Sequence, residues 1–146
     1  MTAAEVPGHI TDVADIEVLV RRFYRAAIPD PMLGPVFAGF GVDWSVHIPK
    51  LVDFWAARLL DRPGYVGNAV GAHQAVLERC GFGAPELDRW LELWGEAVDE
   101  LFAGPIAELA KERARLAGQA IESLVRRHER GTRSIEVSAG WSDERR

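Results

Sequence analysis

The segment PELDRWLELWGEAVDELF, residues 85–102, has the most regular apolar pattern in the chain. Its large apolar residues recur every three or four positions, which is the period of one face of an α-helix. That face contains Leu87, Trp90, Leu91, Trp94, Ala97, Val98, Leu101 and Phe102. Because most helices are stabilised in water by packing of their apolar face, the segment predicts a helix at the centre of a helical core.

Three other segments show the same periodicity. We predict a first helix at 13–28 with Asp12 as its N-cap, a second at 43–60 and a last one at 105–128. Prolines and glycines separate these segments, and no convincing pair of strands is present. The predicted fold class is therefore all-α. In the first helix the apolar stripe consists of Ile16, Leu19, Val20, Phe23 and Ala27.

Length, charge and cysteine content set further limits. A chain of 146 residues suffices for one domain, predicted at 1–128, and the polar stretch 129–146 predicts a poorly ordered tail. The net charge of −5 argues against nucleic acid or an anionic membrane as a partner. The single cysteine, Cys80, excludes an internal disulfide. With no export-type start and no membrane-length apolar run, the sequence predicts a cytoplasmic protein.

Several common catalytic sites are excluded by their motifs. The sequence has no phosphate-binding GxxxxGK[ST] loop, no GxGxxG, no GxSxG and no HExxH. Di-iron carboxylate bundles need Glu-x-x-His pairs, and none of the four histidines follows a glutamate at that spacing. Acidic pairs such as Asp99 and Glu100 fit a solvated helix face.

Four polar side chains stand out on otherwise apolar segments: Tyr24, His47, His73 and Trp90. His73 has no charged residue within four positions. Each one alone is most simply a core residue whose polar end bonds to the backbone. Four on separate segments indicate a pocket with a metal-ligating imidazole and several neutral donors. Such a pocket suits a large apolar cofactor with a metal at its centre, of which haem is an example.

A set of short motifs points in the same direction. They are Phe-Tyr at 23–24, Asp-x-x-Leu-Gly-Pro-x-Phe from residue 30, Trp-x-x-His from residue 44, Phe-Trp at 54–55, and Tyr-x-Gly-Asn from residue 65 ahead of a histidine. Each is weak alone, but the combination is specific. In this combination the chain resembles the truncated haemoglobins of the third group, which have a two-over-two helical globin fold. The resemblance extends from about Ile16 to Phe102.

The resemblance implies haem b as the cofactor, with His73 as the proximal iron ligand. Tyr24, His47 and Trp90 match the distal residues, which stabilise a ligand bound to the iron. The resemblance also implies which aromatic residues contact the haem, which the apolar periodicity alone does not indicate. Phe37 matches an aromatic residue packed on the porphyrin, and the pair Phe54 and Trp55 matches aromatics that line the pocket.

Lys50 is a candidate from spacing alone. It follows His47 by about one helical turn, so it either pairs with a haem propionate at the pocket rim or stays solvated. The spacing does not separate these two alternatives.

Two classes of function remain open at this point. The first is a haem protein that binds dioxygen, nitric oxide or another diatomic ligand, with nitric-oxide dioxygenation or peroxide reduction as further activities. Those reactions consume electrons, and because no flavin- or nicotinamide-binding motif is present, they predict a separate reductase as partner. The alternative is a haem-free globin-like module that acts as a sensor or through protein contacts.

Overall fold

The computed structural model describes residues 7–62 and 83–137, and these ranges form five helices. Within them no β-strand occurs, and the one β-type pairing is an isolated parallel bridge between Gly8 and Phe102. The predicted all-α class is confirmed. The helices are α1 (Val13–Ala27), α2 (Gly34–Phe40), α3 (Trp44–Leu60), α4 (Ala84–Leu101) and α5 (Pro105–Val137).

Short-range capping fixes the start of α1, as the sequence predicts. The Asp12 carboxylate accepts the backbone N–H of Asp15 at 3.1 Å, and the Asp15 carboxylate accepts the backbone N–H of Asp12 at 3.3 Å. Asp43 begins α3 in a similar way and accepts the Ser45 N–H at 3.1 Å. Caps of this kind stabilise a helix by about 1 kcal/mol.

The four long helices pack as two layers of two. Helix α1 packs against α3, and α4 packs against α5. The layers meet where α1 contacts α4 and where α3 contacts α5. This is the two-over-two arrangement that the resemblance to truncated haemoglobins implies.

The core between the layers is built from aromatic rings. Trp94 is buried, and its indole N–H donates to the Ala110 carbonyl on α5 at 3.2 Å. Trp55 of α3 stacks on Trp94 with ring centroids 4.4 Å apart, and Phe23 of α1 meets Trp94 edge-on at 5.5 Å. Trp94 therefore joins α1, α3 and α5 to α4.

The segment before α1 is tied to the corner between α4 and α5. The Ala103 N–H donates to the Gly8 carbonyl at 2.9 Å. At this corner Gly104 has φ +100°, and a Cβ atom there would lie 2.6 Å from Nδ1 of His9. Only glycine fits both conditions.

Two elements differ from the sequence prediction. The connector after α1 contains the short helix α2, and α5 continues to Val137 instead of ending at residue 128. Seven residues are too few for a periodic signal, and the polar stretch after 128 has no apolar stripe to detect. A helix already formed can still extend there because each added residue contributes a backbone hydrogen bond. The domain boundary at 128 remains a prediction, and residues from 138 onward lie outside the described ranges.

In the described ranges, no helix is both long enough and apolar enough to cross a membrane.

Candidate functional site

Tyr24 lies in the last turn of α1 and is only 7% exposed. Burial raises the pKa of its phenol well above the ordinary value of 10. The phenol is protonated at neutral pH even at its ordinary pKa, and its hydroxyl is available as a hydrogen-bond donor.

The ring of Tyr24 belongs to what we call the aromatic cluster, formed by Tyr24, Phe37, Trp44 and His47. From Tyr24, the ring centroids lie 5.8 Å from Phe37, 4.9 Å from Trp44 and 5.9 Å from His47. Trp44 also meets Phe37 at 5.1 Å and His47 at 5.6 Å. Three helices thus bring one tyrosine, one histidine and two apolar rings to a single place.

The backbone between α1 and α2 makes this convergence possible. The Ile28 N–H donates to the Tyr24 carbonyl at 2.9 Å, so Tyr24 closes the last turn of α1. Helix α2 begins at Gly34, where a Cβ atom would lie 2.7 Å from the Ile28 carbonyl oxygen. Glycine at this position lets α2 start directly against the end of α1, which brings Phe37 to Tyr24.

Trp44 was not predicted as a site residue, although it contacts all three other members of the cluster. The available signal was its spacing: Trp44 and His47 are three residues apart on α3, so their side chains share a face of the helix.

Trp90 lies on α4 and reaches Tyr24 through Phe23. Its ring meets Phe23 edge-on at 5.9 Å, and Phe23 meets Tyr24 edge-on at 4.7 Å. Trp90 is half-buried and parallel to Trp94 at 6.3 Å. It also packs against a second, smaller apolar cluster that consists of Leu87, Ile121 and Leu124.

The remaining predicted contacts on α3 divide into buried and exposed residues. Phe54 and Trp55 are buried, and their rings meet edge-on at 5.3 Å. The Arg58 guanidinium lies over the Phe54 ring, 4.2 Å from its centroid. Lys50 is exposed. The structure thus places Trp55 in the main core against Trp94, and Lys50 at the surface.

The predicted iron ligand, His73, lies outside the described residues. Cys80 lies there as well.

The chemistry of the aromatic cluster fits a planar apolar group that carries a small polar ligand. Phe37 and Trp44 offer apolar ring surface, and none of the four members has a fixed charge. Tyr24 supplies an O–H that is itself almost fully buried, where hydrogen bonds are electrostatically stronger than in water. A haem with a diatomic ligand has these properties.

The two-over-two helical sandwich, with a buried tyrosine at the end of its first helix, is the fold of the truncated globins. In sequence, the chain is similar to the group 3 truncated hemoglobin ctb of Campylobacter jejuni. The two are 25% identical over 114 residues, which cover 75% of this chain and 87% of that protein.

In structure, the chain is similar to the group III truncated hemoglobin from Campylobacter jejuni solved by crystallography. The TM-score is 0.73 at 22% identity, and the match covers 82% of this chain and 95% of the other. No family model matches the chain. The fold is that of the truncated haemoglobins, and the resemblance to the third group is confirmed by both comparisons.

Proposed function

We propose that this chain is a haem globin that binds dioxygen, nitric oxide or another diatomic ligand at an iron held by His73. The observation that carries the proposal is the buried, protonated phenol of Tyr24 within the aromatic cluster. Haem b, when bound, supplies an iron atom that coordinates such a ligand. The likeness to group III truncated haemoglobins supports the same assignment.

In this proposal the residues of the chain act on the ligand from two sides. Tyr24 donates a hydrogen bond from α1, and Trp90 donates a second from α4. His47 contacts the Tyr24 ring and adjusts access to the distal side. Phe37, Phe54 and Trp55 contact the cofactor, and Lys50 pairs with a propionate.

Strong donors at the ligand favour retention over release. One neutral hydrogen bond contributes about 0.5–1.5 kcal/mol, and one to a charged partner about 1.5–3 kcal/mol. Two donors at one ligand slow its loss, which suits nitric-oxide dioxygenation by bound dioxygen, and the same donors suit the reduction of a bound peroxide. A separate reductase would return the electrons, and a cytoplasmic location belongs to the same proposal.

The test is haem titration of the purified chain and of histidine variants. We expect near one-to-one binding with a Soret band, and loss of haem retention in His73→Ala. The matched control is His9→Ala, which replaces an exposed imidazole at the α4–α5 corner and should retain haem. No Soret band from the unaltered chain supplied with ample haem would contradict the proposal and favour a haem-free helical module. Haem retention in His73→Ala with loss in His9→Ala would overturn the ligand assignment.

A further inference from the structure

Asp30 is the one charged residue that is buried among the described side chains of residues 7–62 and 83–137, at 6% exposed. It lies in the corner between α1, which carries Tyr24, and α2, which carries Phe37. Charges are rarely buried without partners because removal from water is costly. The groups that bind the Asp30 carboxylate therefore identify the parts of the chain to which this corner is bonded.

One oxygen of the Asp30 carboxylate organises the corner itself. Oδ2 accepts the backbone N–H groups of Met32 and Leu33, each at 3.0 Å. The main chain of Asp30 joins the two helices: its N–H donates to Ala27 at 3.2 Å, and its carbonyl accepts from Gly34 at 2.8 Å. Asp30 is thus bonded to the end of α1 and to the start of α2.

The other oxygen of Asp30 reaches a helix far away in sequence. Oδ1 accepts Nε of Arg89 on α4 at 2.8 Å. Arg89 immediately precedes Trp90, and its Nη1 also donates to Glu92. The planar guanidinium is held by two carboxylates in a fixed orientation, which an ammonium group would not reproduce.

The carboxylate is charged at neutral pH. Burial alone would raise the pKa of Asp30, but the hydrogen bonds from Arg89 and from the Leu33 and Met32 N–H groups outweigh it, and the pKa lies below its ordinary value.

We propose that Asp30 and Arg89 are a positioning pair that sets the place of the Trp90 indole relative to the Tyr24 phenol. The pair acts by fixing the turn of α4 that carries Trp90 against the corner that ends the helix of Tyr24. As far as the bound ligand is concerned, the inference rests on the proposed function.

A second ion pair also reaches α4, so a cross-link to that helix does not by itself distinguish Asp30. Arg22 of α1 and Glu100 of α4 lie 2.6 Å apart, at the other end of α4 from Trp90, and both are partly exposed. This pair already joins α1 to α4. What distinguishes the Asp30–Arg89 pair is the burial of its carboxylate, which is 3% exposed against 52% for Glu100, and its position next to Trp90.

The variants separate the two contributions of the Asp30 carboxylate, which are its hydrogen bonds within the corner and its ion pair with Arg89. Asp30→Asn keeps an oxygen for the Met32 and Leu33 N–H groups but removes the charge that faces Arg89. Arg89→Lys keeps the positive charge but loses the planar guanidinium that two carboxylates hold in a fixed orientation. Glu100→Gln is the matched control, because it breaks another ion pair of α4, with Arg22 of α1, away from the site. If Asp30→Asn fails to fold, Arg89→Lys carries the test.

The first measurement is the indole Nε1–H resonance of Trp90 in the carbon-monoxide-bound ferrous protein, assigned with Trp90→Phe. We expect Asp30→Asn and Arg89→Lys to shift this resonance and Glu100→Gln to leave it in place. The Trp94 resonance, whose N–H is bonded to Ala110, should stay unchanged in all three.

The second measurement is the rate of dioxygen dissociation. We expect Asp30→Asn and Arg89→Lys to raise it about two- to tenfold, as for weakening of one neutral hydrogen bond. In a Trp90→Phe background the same changes should have no further effect, because the donor they position is gone. A merely structural role would raise the rate in both backgrounds.

Two results would overturn the proposal. One is an unmoved Trp90 resonance in both Asp30→Asn and Arg89→Lys; the other is an equal displacement in Glu100→Gln. A chain that binds no haem contradicts the proposed function instead, and the Trp90 resonance of the protein as purified then decides the positioning role by the same criterion.

Discussion

The ring of Trp44 lies 4.9 Å from the ring of Tyr24, tilted by 52°, and joins the first turn of α3 to the last turn of α1. Trp44 is half-buried, whereas Tyr24 is almost fully buried. The indole therefore covers part of the phenol that would otherwise face water. This makes Trp44 one cause of the burial that raises the pKa of Tyr24.

Replacing Trp44 by leucine should lower the pKa of Tyr24 towards its ordinary value of 10, because a smaller side chain admits water to the phenol. Ultraviolet titration of tyrosinate, with Tyr24→Phe as the reference that removes this signal, measures the shift. Val46→Ala changes an exposed residue on the same helix and should leave the pKa unchanged. An unaltered titration in Trp44→Leu would show that other groups keep water from Tyr24.

The raised pKa of Tyr24 also predicts a loss of stability in alkali. The folded state disfavours the phenolate, so the contribution of Tyr24 is fully present below pH 10 and is lost as the pH rises towards the folded pKa. Each pH unit in that window costs about 1.4 kcal/mol. Tyr24→Phe should remove this part of the decline. Urea unfolding of both proteins at a series of pH values above 9 compares the two slopes, and parallel curves would contradict the prediction.

Removal of the distal donors should speed ligand loss. Tyr24→Phe and Trp90→Phe keep ring packing while each removes one donor, so each should raise the dioxygen dissociation rate, by roughly ten- to a hundred-and-fifty-fold if the lost bond is worth 1.5–3 kcal/mol. Since both donors would address one ligand, the effects of the double change should not add. His47→Leu should have a smaller effect. Stopped-flow measurements on the single and double variants test this, and unchanged rates for both single variants would place the distal site elsewhere.

The pH dependence of stability in acid should report on Asp30. Its pKa is lowered in the folded state, so its contribution is present above its ordinary pKa of about 4 and is lost as the pH falls through the folded pKa. Asp30→Asn should therefore have a lower free energy of unfolding than the unaltered chain at neutral pH, and the difference between the two should become smaller below pH 4. Urea unfolding measures this difference, and a constant difference across that pH range would show that the charge of Asp30 does not contribute to stability.

Some of these features could be predicted from the sequence because their causes are local. The capping box of Asp12 and Asp15 involves neighbours three residues apart, and the apolar stripes of the long helices repeat within a few turns. Tyr24, Phe37 and His47 were selected by motif, and the structure brings their rings together, although their roles at a ligand remain predictions.

Other features depend on contacts between distant segments. In the sequence Asp30 is the first residue of a short motif, and no local pattern predicts its partner because Arg89 is 59 positions away. Trp44 contacts both Tyr24 and Phe37 because the corner between α1 and α2 brings these two rings together. The length of α5 was underestimated because its final turns have no apolar stripe, so periodicity carries no information about them.

Truncation of α5 separates the part of that helix that supports the site from the part that does not. Ile121 and Leu124 are buried against Leu87 and contact Trp90, whereas Arg126, Arg127 and Arg130 are exposed. A chain that ends after residue 130 should keep its unfolding free energy, its visible spectrum and its ligand dissociation rate. A chain that ends after residue 119 loses two buried side chains, worth about 1.5–3 kcal/mol each, and frees one side of Trp90. It should be less stable and should release dioxygen faster. Urea unfolding and stopped-flow measurements on both truncated chains test this, and loss of haem from the chain ending at 130 would show that the segment after Arg130 closes the pocket.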